Sequence, residues 1–494
     1  DDAEWDAGDI RYNVLRWTSS PRPPFGGYGP SFVNPRTGQI LGADIMLEYV
    51  YFTNRVKYEK IFDTFALDEM QCLAGNHIHQ GNMFGMMVIG DVSNYSNLEQ
   101  HRIIYESLVK LTLHEVGHTL GLSHNFYSSK LHSFKNIHQR HITEPVGLTS
   151  SVMDYVSANV GINSKNHGQF YTTTPGPYDI WAIEFGYTPA LLNPEDEKNR
   201  VSNLLNKSVK NEYRYGNDAD DMRSAGKAID PRIMIADMSD DPVAYAQQRM
   251  DIIRYTYPTL GKKFEIKGES YHALRDAFYV LNGEYSNCTR IISRYVGGVF
   301  MDRSMVGQEG KDKPFVPVPK EDQKWAMTLL TKYAFAPDAF QIPSDIYSYL
   351  QKERRGWSGT KDPNILGMFL NLQKDLFNHL LHVNVLNRVS NTQLYGNTYS
   401  VSEMLGDLTN ACFSADAGSN VSLMRINLQT EYTKRLVSIV HNKGKVKFDN
   451  VSVAMAFNNL NKIKKYAAKT NGANEQTRAH RKYLVHIIDK ALDT

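Results

Sequence analysis

The sequence predicts an α+β protein, with a short β-rich opening, one long helix bearing a histidine motif, and a largely α-helical C-terminal region. Three observations carry that prediction. Residues 9–18 and 39–49 carry apolar groups at intervals that suit a half-buried strand. In the run HEVGHTLGLSH, His114 and His118 stand four apart, on one face of a helix. Beyond about Pro189, helical patterns dominate. We therefore expect a first unit over residues 1–189 and a mainly helical region over 190–494, with room for two subdomains.

A chain of 494 residues exceeds what one ordinary core supports, which suggests two or three domains. The balance of 55 basic against 53 acidic residues, net +2, gives no reason to expect nucleic acid or an anionic membrane as partner. No apolar run approaches the roughly 18 residues of a membrane span. Cys72, Cys288 and Cys412 are odd in number, far apart and without CxxC spacing, so neither a disulfide framework nor a cysteine metal site is expected.

In chain order, Ile10, Tyr12 and Val14 supply the apolar side of a first strand, and the Pro- and Gly-rich residues 21–30 read as a loop. Asn34-Pro35-Arg36-Thr37-Gly38 reads as a tight turn into a second strand. Residues 50–65 read as a helix, and MFGMMVIG (83–90) as a short buried strand. His77 and His79, two apart, read as polar loop residues rather than ligands. Ser96 and Glu99 form a capping-box pattern, so the motif helix starts near Leu98, with Ile104, Leu108 and Leu111 facing a sheet.

After the motif, His132, His138 and His141 read as exposed loop residues. Gly176-Pro177-Tyr178 introduces a helix over 179–186 that Gly186 caps, with Tyr178 and Trp181 in its core. Further helices are expected at 242–257, 270–294, 321–333, 365–387, 402–413, 423–441, 451–468 and 477–492, with long loops near 307–319 and 356–363. Asn217-Asp218-Ala219-Asp220-Asp221, followed by Asp230 and Asp237, is an acid-rich loop. It is a candidate for Ca2+, but it lacks the glycine and terminal glutamate of an EF-hand, and a solvated acidic loop is the better reading. His379 and His382 read as packing residues.

The motif carries the chemistry. Two imidazoles one turn apart on a helix can reach one metal ion, and Glu115 beside them can hold a water bound to it. Gly121 can adopt the left-handed conformation that ends a helix, letting the chain turn back and present His124 as a third ligand. Three neutral nitrogens leave a fourth position open, as in a catalytic zinc site rather than a structural one.

HExxHxxGxxH followed by a methionine turn, here Ser151-Val152-Met153-Asp154-Tyr155, resembles the signature of the metzincin zinc peptidases. The resemblance is to large bacterial zinc-dependent metalloproteases of unknown substrate. It runs through DIRYNVLRW, YGPSFVNPRTGQIL, GLSHNF, SVMDY, GPYDIWAIEFGY and DDPVAYA, and thins towards the C-terminus. It implies a catalytic domain with a twisted mixed sheet and an active-site helix. In that domain one catalytic Zn2+ is bound by His114, His118 and His124, with Glu115 as general base, Met153 as the apolar floor and Tyr155 as a switchable ligand. Asn125 after the third histidine departs from the standard subfamilies.

An antiparallel edge strand forms the upper rim of a metzincin cleft, and residues 43–48 are the candidate for it, with an ordinary internal strand the equal alternative because edge position cannot be read from one sequence. The chain begins too late for the family's first strand and helix, so a longer precursor is expected, its N-terminal part packing on the catalytic domain. The function implied is a zinc endopeptidase acting on protein or peptide substrates through a Glu-activated, zinc-bound water. A secreted, periplasmic or cell-surface location goes with it. The alternative is a latent or inactive metzincin-fold module for binding or surface interaction.

Overall fold

Apolar alternation in the opening residues does produce a sheet, though its order differs from the one expected. The computed structural model describes residues 4–19, 26–49, 74–88, 97–161, 168–310, 313–351, 362–469 and 472–493. The helix expected at 50–65, Cys72 and Ser96 lie outside them. Strands β1 (Val14–Thr18), β2 (Gly27–Tyr28), β3 (Ser31–Val33) and β4 (Ile40–Glu48) form one mixed sheet. Along β4, Ala43, Ile45 and Leu47 are buried at every second position. β1 runs parallel to β4, pairing Val14 with Asp44. β2 and β3 run antiparallel on its other side, pairing Gly27 with Leu47 and Ser31 with Ala43. Residues 43–48 therefore sit inside the sheet. The antiparallel strands beside β4 are β2, which lies in the stretch read as a loop, and β3, just after it. The turn before β4 is as expected: Gly38 has φ +74° and its N–H donates to Asn34 O at 2.8 Å.

Helix α1 (Ala74–Val88) replaces the strand expected at 83–90. It is buried on almost every side, and a helix buried all round has no polar stripe to reveal its period. It crosses α2 (Asn97–Thr119), with Asn82 donating to Ser107 Oγ at 2.9 Å. A Cβ on Gly85 would come within 2.4 Å of Ile103, so glycine sets how closely the two helices approach. On α2 the buried stripe runs through Ile103, Ser107, Leu111 and His114, one step from the expected one. Glu106 on the same helix accepts the N–H groups of Phe170 and Tyr171, joining α2 to the chain beyond the methionine turn.

The connection after α2 holds α3 (Arg140–Val146). Two of its histidines are not exposed loop residues: His132 is buried with a ring nitrogen 2.7 Å from Gly147 O, and half-buried His138 meets Gln248 at 3.1 Å. Helix α4 (Pro177–Tyr187) runs one residue past Gly186, with Thr188 as its cap. Then follow α5 (Pro194–Leu205), the single turn α6 (Asp218–Asp221), α7 (Pro242–Lys263) and α8 (His272–Ser293). A hairpin of β5 (Val299–Met301) and β6 (Phe315–Pro317) interrupts the helices, its second strand inside the loop expected at 307–319.

The remainder is helical as the sequence indicates: α9 (Lys320–Leu330), α10 (Ile365–Leu380), α11 (Val383–Thr392), α12 (Val401–Phe413), α13 (Leu423–His441), α14 (Asn450–Ala467) and α15 (Glu475–Leu492). The helix expected at 365–387 is two, parted at Leu381 and His382; His382 caps the second by accepting the Asn384 N–H at 3.1 Å. Among the described residues no helix is long and apolar enough to cross a membrane.

One connected cluster of buried apolar side chains reaches from Ile45 to Ile488, so the sheet, α1 and the helical region share a core, beside a small second cluster of Ile137, Leu148, Val156, Met238 and Tyr245. One polar group stitches that core. Arg249 of α7 is fully buried, donates to Glu284 of α8 at 2.6 Å and to Ala158 O at 2.7 Å, and lies 4.2 Å over the Phe84 ring of α1. Removing one member of such a pair strands a charge in low dielectric. Arg249→Met should therefore lower unfolding free energy by about 3–5 kcal/mol in urea titrations. Adding Glu284→Leu should recover much of that loss; a double variant no more stable than the single one would show that the stranded charge is not the cause.

Candidate metal centre

The site begins with the end of α2. Gly121 has φ +86°, its N–H donates to His118 O at 2.9 Å, and the Leu122 N–H reaches back to Gly117 O at 3.0 Å. These are the two bonds of a Schellman cap, which ends the helix and reverses the chain. The turn returns His124 to the two helical histidines. Ring centroids lie 4.8 Å apart for His114 and His118, 4.9 Å for His118 and His124, and 5.5 Å for His114 and His124. Among the described residues, this is the only group of three or more His, Cys, Asp or Glu side chains whose ligand atoms could share an ion, lying within 4.8 Å of one another.

Each of the three rings is held through Nδ1. His114 Nδ1 is 2.8 Å from Val152 O, His118 Nδ1 is 3.1 Å from Leu122 O, and His124 Nδ1 is 2.6 Å from Asp218 Oδ2. A carbonyl or carboxylate partner requires hydrogen on Nδ1, so the Nε2 lone pairs are the ones available to a cation. Burial, with the nearby Lys110 charge, holds His114 well below the ordinary imidazole range, and burial brings His118 down to about 4. Three imidazoles whose ligand atoms lie within 4.8 Å of one another, two of them kept neutral by burial, are a donor set that suits zinc, so the residues present fit the ion.

The methionine turn is fixed from beneath. Asp179 of α4 accepts the Val152 N–H at 2.8 Å, the Ser151 hydroxyl at 2.6 Å and the Gly176 N–H at 2.9 Å. Lys110 of α2 donates to Val152 O, the same carbonyl that meets His114. Met153 is fully buried under α2, where a Cβ on Gly117 would come within 2.3 Å of its sulfur. The Tyr155 hydroxyl lies 2.8 Å from His124 Nε2, and the ring stacks on His77 with centroids 5.5 Å apart. His77 thus belongs to the surroundings of Tyr155, while buried His79 lies elsewhere on α1. Glu115 is fully buried, and β2 lies directly against it: a Cβ on Gly27 would meet its Oε1 at 2.5 Å, and one on Gly29 its backbone O at 2.6 Å.

The sequence reading missed Asp218 as a partner of His124. It lies in the acid-rich loop, where Asp218 is exposed but Asp220, Asp221, Asp230 and Asp237 are buried rather than solvated. Asp218 meets Arg223 at 2.5 Å, Asp220 pairs with Arg303, Asp221 with Arg294, Asp230 with Arg232 at 2.7 Å, and Asp237 with Lys130. Cations already neutralise these carboxylates, so Ca2+ is not supported. Burial opposes the charge on Asp218, but the His124 hydrogen bond and the charges of His124 and Arg223 hold its pKa below the usual carboxylate value. Asn125 also has a task the sequence did not disclose. Its N–H donates to Met153 O at 3.0 Å and its side chain bonds Arg214 O and the Gly216 N–H, which brings the acid-rich loop up to the motif.

The sequence model of one family, described as Met-zincin, matches residues 96–420, well over half of the chain and all three histidines. No curated protein and no solved structure matches.

A carboxylate behind a ligating imidazole typically supports metal affinity by 10–100-fold. Asp218→Asn should therefore weaken zinc binding by about that factor in competition with a chromophoric chelator, with an unchanged far-UV spectrum. Unaltered affinity would mean that Asp218 does not orient His124 for a metal.

Proposed function

As the chain belongs to the Met-zincin family, we propose that it is a zinc-dependent endopeptidase whose metal is held by His114, His118 and His124. One observation carries this reading: the ligand atoms of the three histidines lie within 4.8 Å of one another while each Nδ1 faces an acceptor, which leaves Nε2 for a metal, and Glu115, next in the chain to His114, is buried. Zinc in such a site, with a coordination position open, supplies Lewis acidity and lowers the pKa of a water there towards ~7.

The protein's own groups do the rest. Glu115 takes a proton from the water as it attacks the scissile carbonyl carbon, then delivers it to the leaving amine nitrogen. The Tyr155 hydroxyl, now bonded to His124, is the donor we assign to the carbonyl oxygen as that atom gains negative charge. Met153 keeps the floor of the site apolar and fixed under Gly117. An extended peptide would lie along the antiparallel β2–β3 side of the sheet, where Gly27 and Gly29 bring the backbone close to Glu115. We take residues 1–189 as the catalytic domain, with the region from 190 to 494 contributing Asp218, and a secreted, periplasmic or cell-surface setting as the one that suits a general peptidase.

Glu115→Gln should retain about one zinc per chain and lose cleavage of a mixed peptide library by at least ~10³-fold, because a neutral amide cannot accept the proton. Tyr155→Phe should lower kcat by roughly 10²-fold with a smaller change in KM. Wild-type levels of cleavage by Glu115→Gln would refute the assigned base. Zinc-loaded wild type that cuts no peptide would refute the activity.

A further inference from the structure

Besides the two other histidines, three groups meet the His124 ring, and one guanidinium meets all three. Asp218 accepts from Nδ1 at 2.6 Å, the Tyr155 hydroxyl lies 2.8 Å from Nε2, and the Phe126 ring stacks on the imidazole with centroids 5.3 Å apart. Arg223 presents Nη2 to the other oxygen of Asp218 at 2.5 Å, and its Cζ lies 5.6 Å from the centre of the Tyr155 ring and 5.5 Å from that of Phe126. Its Nε faces Asp221 at 3.5 Å. Two carboxylates match the charge of Arg223, so what the side chain supplies is placement rather than a surplus of charge.

Each contact answers a need of the site. Asp218 is exposed, and a carboxylate in water is free to turn; the ion pair on Oδ1 holds Oδ2 towards His124. The Tyr155 hydroxyl lies at the nitrogen that a metal would take, so it gives up that bond when one binds. Contacts of its ring with Arg223, Phe126 and His77 then hold the phenol beside the site. The backbone bears a cost for this: Met222 and Arg223, neither of them glycine, have φ of 49° and 48°. Such strain persists where the surrounding contacts require it.

We propose that Arg223 is a positioning residue for peptide hydrolysis. Through its ion pair with Asp218 it sets the third metal ligand, and through the face of its guanidinium it keeps the Tyr155 hydroxyl within reach of the scissile carbonyl. A planar fork serves both ends, which an ammonium group does not. The Tyr155 part rests on the peptidase reading, whereas the Asp218 part requires only that the three histidines hold a metal.

The test uses the full chain and two variants. Asparagine tolerates left-handed backbone, so Arg223→Asn removes the guanidinium without straining the turn further, and Arg223→Lys keeps the charge but not the fork. Arg223→Asn should weaken zinc binding by roughly tenfold in chelator competition. With zinc saturating, it should lower kcat on a peptide that the wild type cuts by about tenfold, with KM changed little. Arg223→Lys should restore only part of either loss. In the Asp218→Asn background the same substitutions should cost little further zinc affinity, and in the Tyr155→Phe background little further kcat, because residues that act through one another are not additive.

Wild-type affinity and kcat in Arg223→Asn would overturn the proposal, and additivity in either background would overturn the part that it tests. Full recovery by Arg223→Lys would assign the effect to charge and overturn the placement. A zinc-loaded wild type that cuts no peptide would overturn the peptidase reading and the Tyr155 part with it, while the zinc affinities would still decide the Asp218 part.

Discussion

Every imidazole of the cluster is oriented by a hydrogen bond at Nδ1, and the rest of the site depends on that constraint. The three acceptors come from three separate pieces of chain: the carbonyl before the buried methionine, the carbonyl after the helix cap, and a carboxylate some ninety residues further on. A histidine free to rotate about χ1 and χ2 would lose rotamer freedom on meeting a cation, whereas rings already fixed lose little. Placement is therefore a property of the fold rather than of the ion. It is also why Val152 is anchored so heavily, its N–H by Asp179 and its carbonyl by Lys110: a shift of that one peptide would turn the His114 ring.

The helical region is mechanically part of this arrangement. Asp218 reaches His124 from the start of the single turn α6, and Asn125 ties residues 214–216 to the motif. Deeper in, Arg249 joins α7 and α8 to the carbonyl of Ala158, in the segment that follows the methionine turn. Burying a guanidinium is favourable only when its charge and donors are matched, and here a carboxylate, a carbonyl and an aromatic face match them. The two parts of the chain share a core, and they also share polar contacts that tolerate little displacement.

Much of this was legible in the sequence because it is local. The four-residue spacing of His114 and His118, the glycine that allows a Schellman cap, and the amphipathic stripes and capping residues of the later helices all lie within a few turns of one another. Non-local facts were not legible. Whether β4 is an edge strand depends on where residues 27–33 return, and nothing in 40–48 records that. The apolar residues of α1 are buried on all sides, so their pattern carries no period from which to tell helix from strand. Asp218 looked like one acid among five in a polar stretch. Its significance lies in which cations the others had already found. A signal did exist in the Gly26-Gly27-Tyr28-Gly29 run, since glycines so close together imply a near approach of backbone to something, here Glu115 and Gly75.

Residues 217–226 answer to two demands at once, and the strain in that loop follows from both. Asp218 must face His124, which sets the direction of the chain on entry. Gly226 must lie against α10 and α11, where a Cβ would strike the His382 ring at 2.2 Å, which sets the direction on exit. Between these fixed ends the chain has to reverse within a few residues while bringing Asp221 to Arg294 and Arg223 to Asp218. Two successive left-handed residues achieve the reversal at a cost of order 1–3 kcal/mol each when the residues are not glycine. Glycine at 222 or 223 would remove that cost, but at 223 it would also remove the guanidinium that touches Asp218, Asp221 and the Tyr155 ring together. An arginine is retained where a relaxed glycine would fit because its guanidinium, through ion pairs, ties Asp218, the partner of His124, to Asp221 on the far side of the turn.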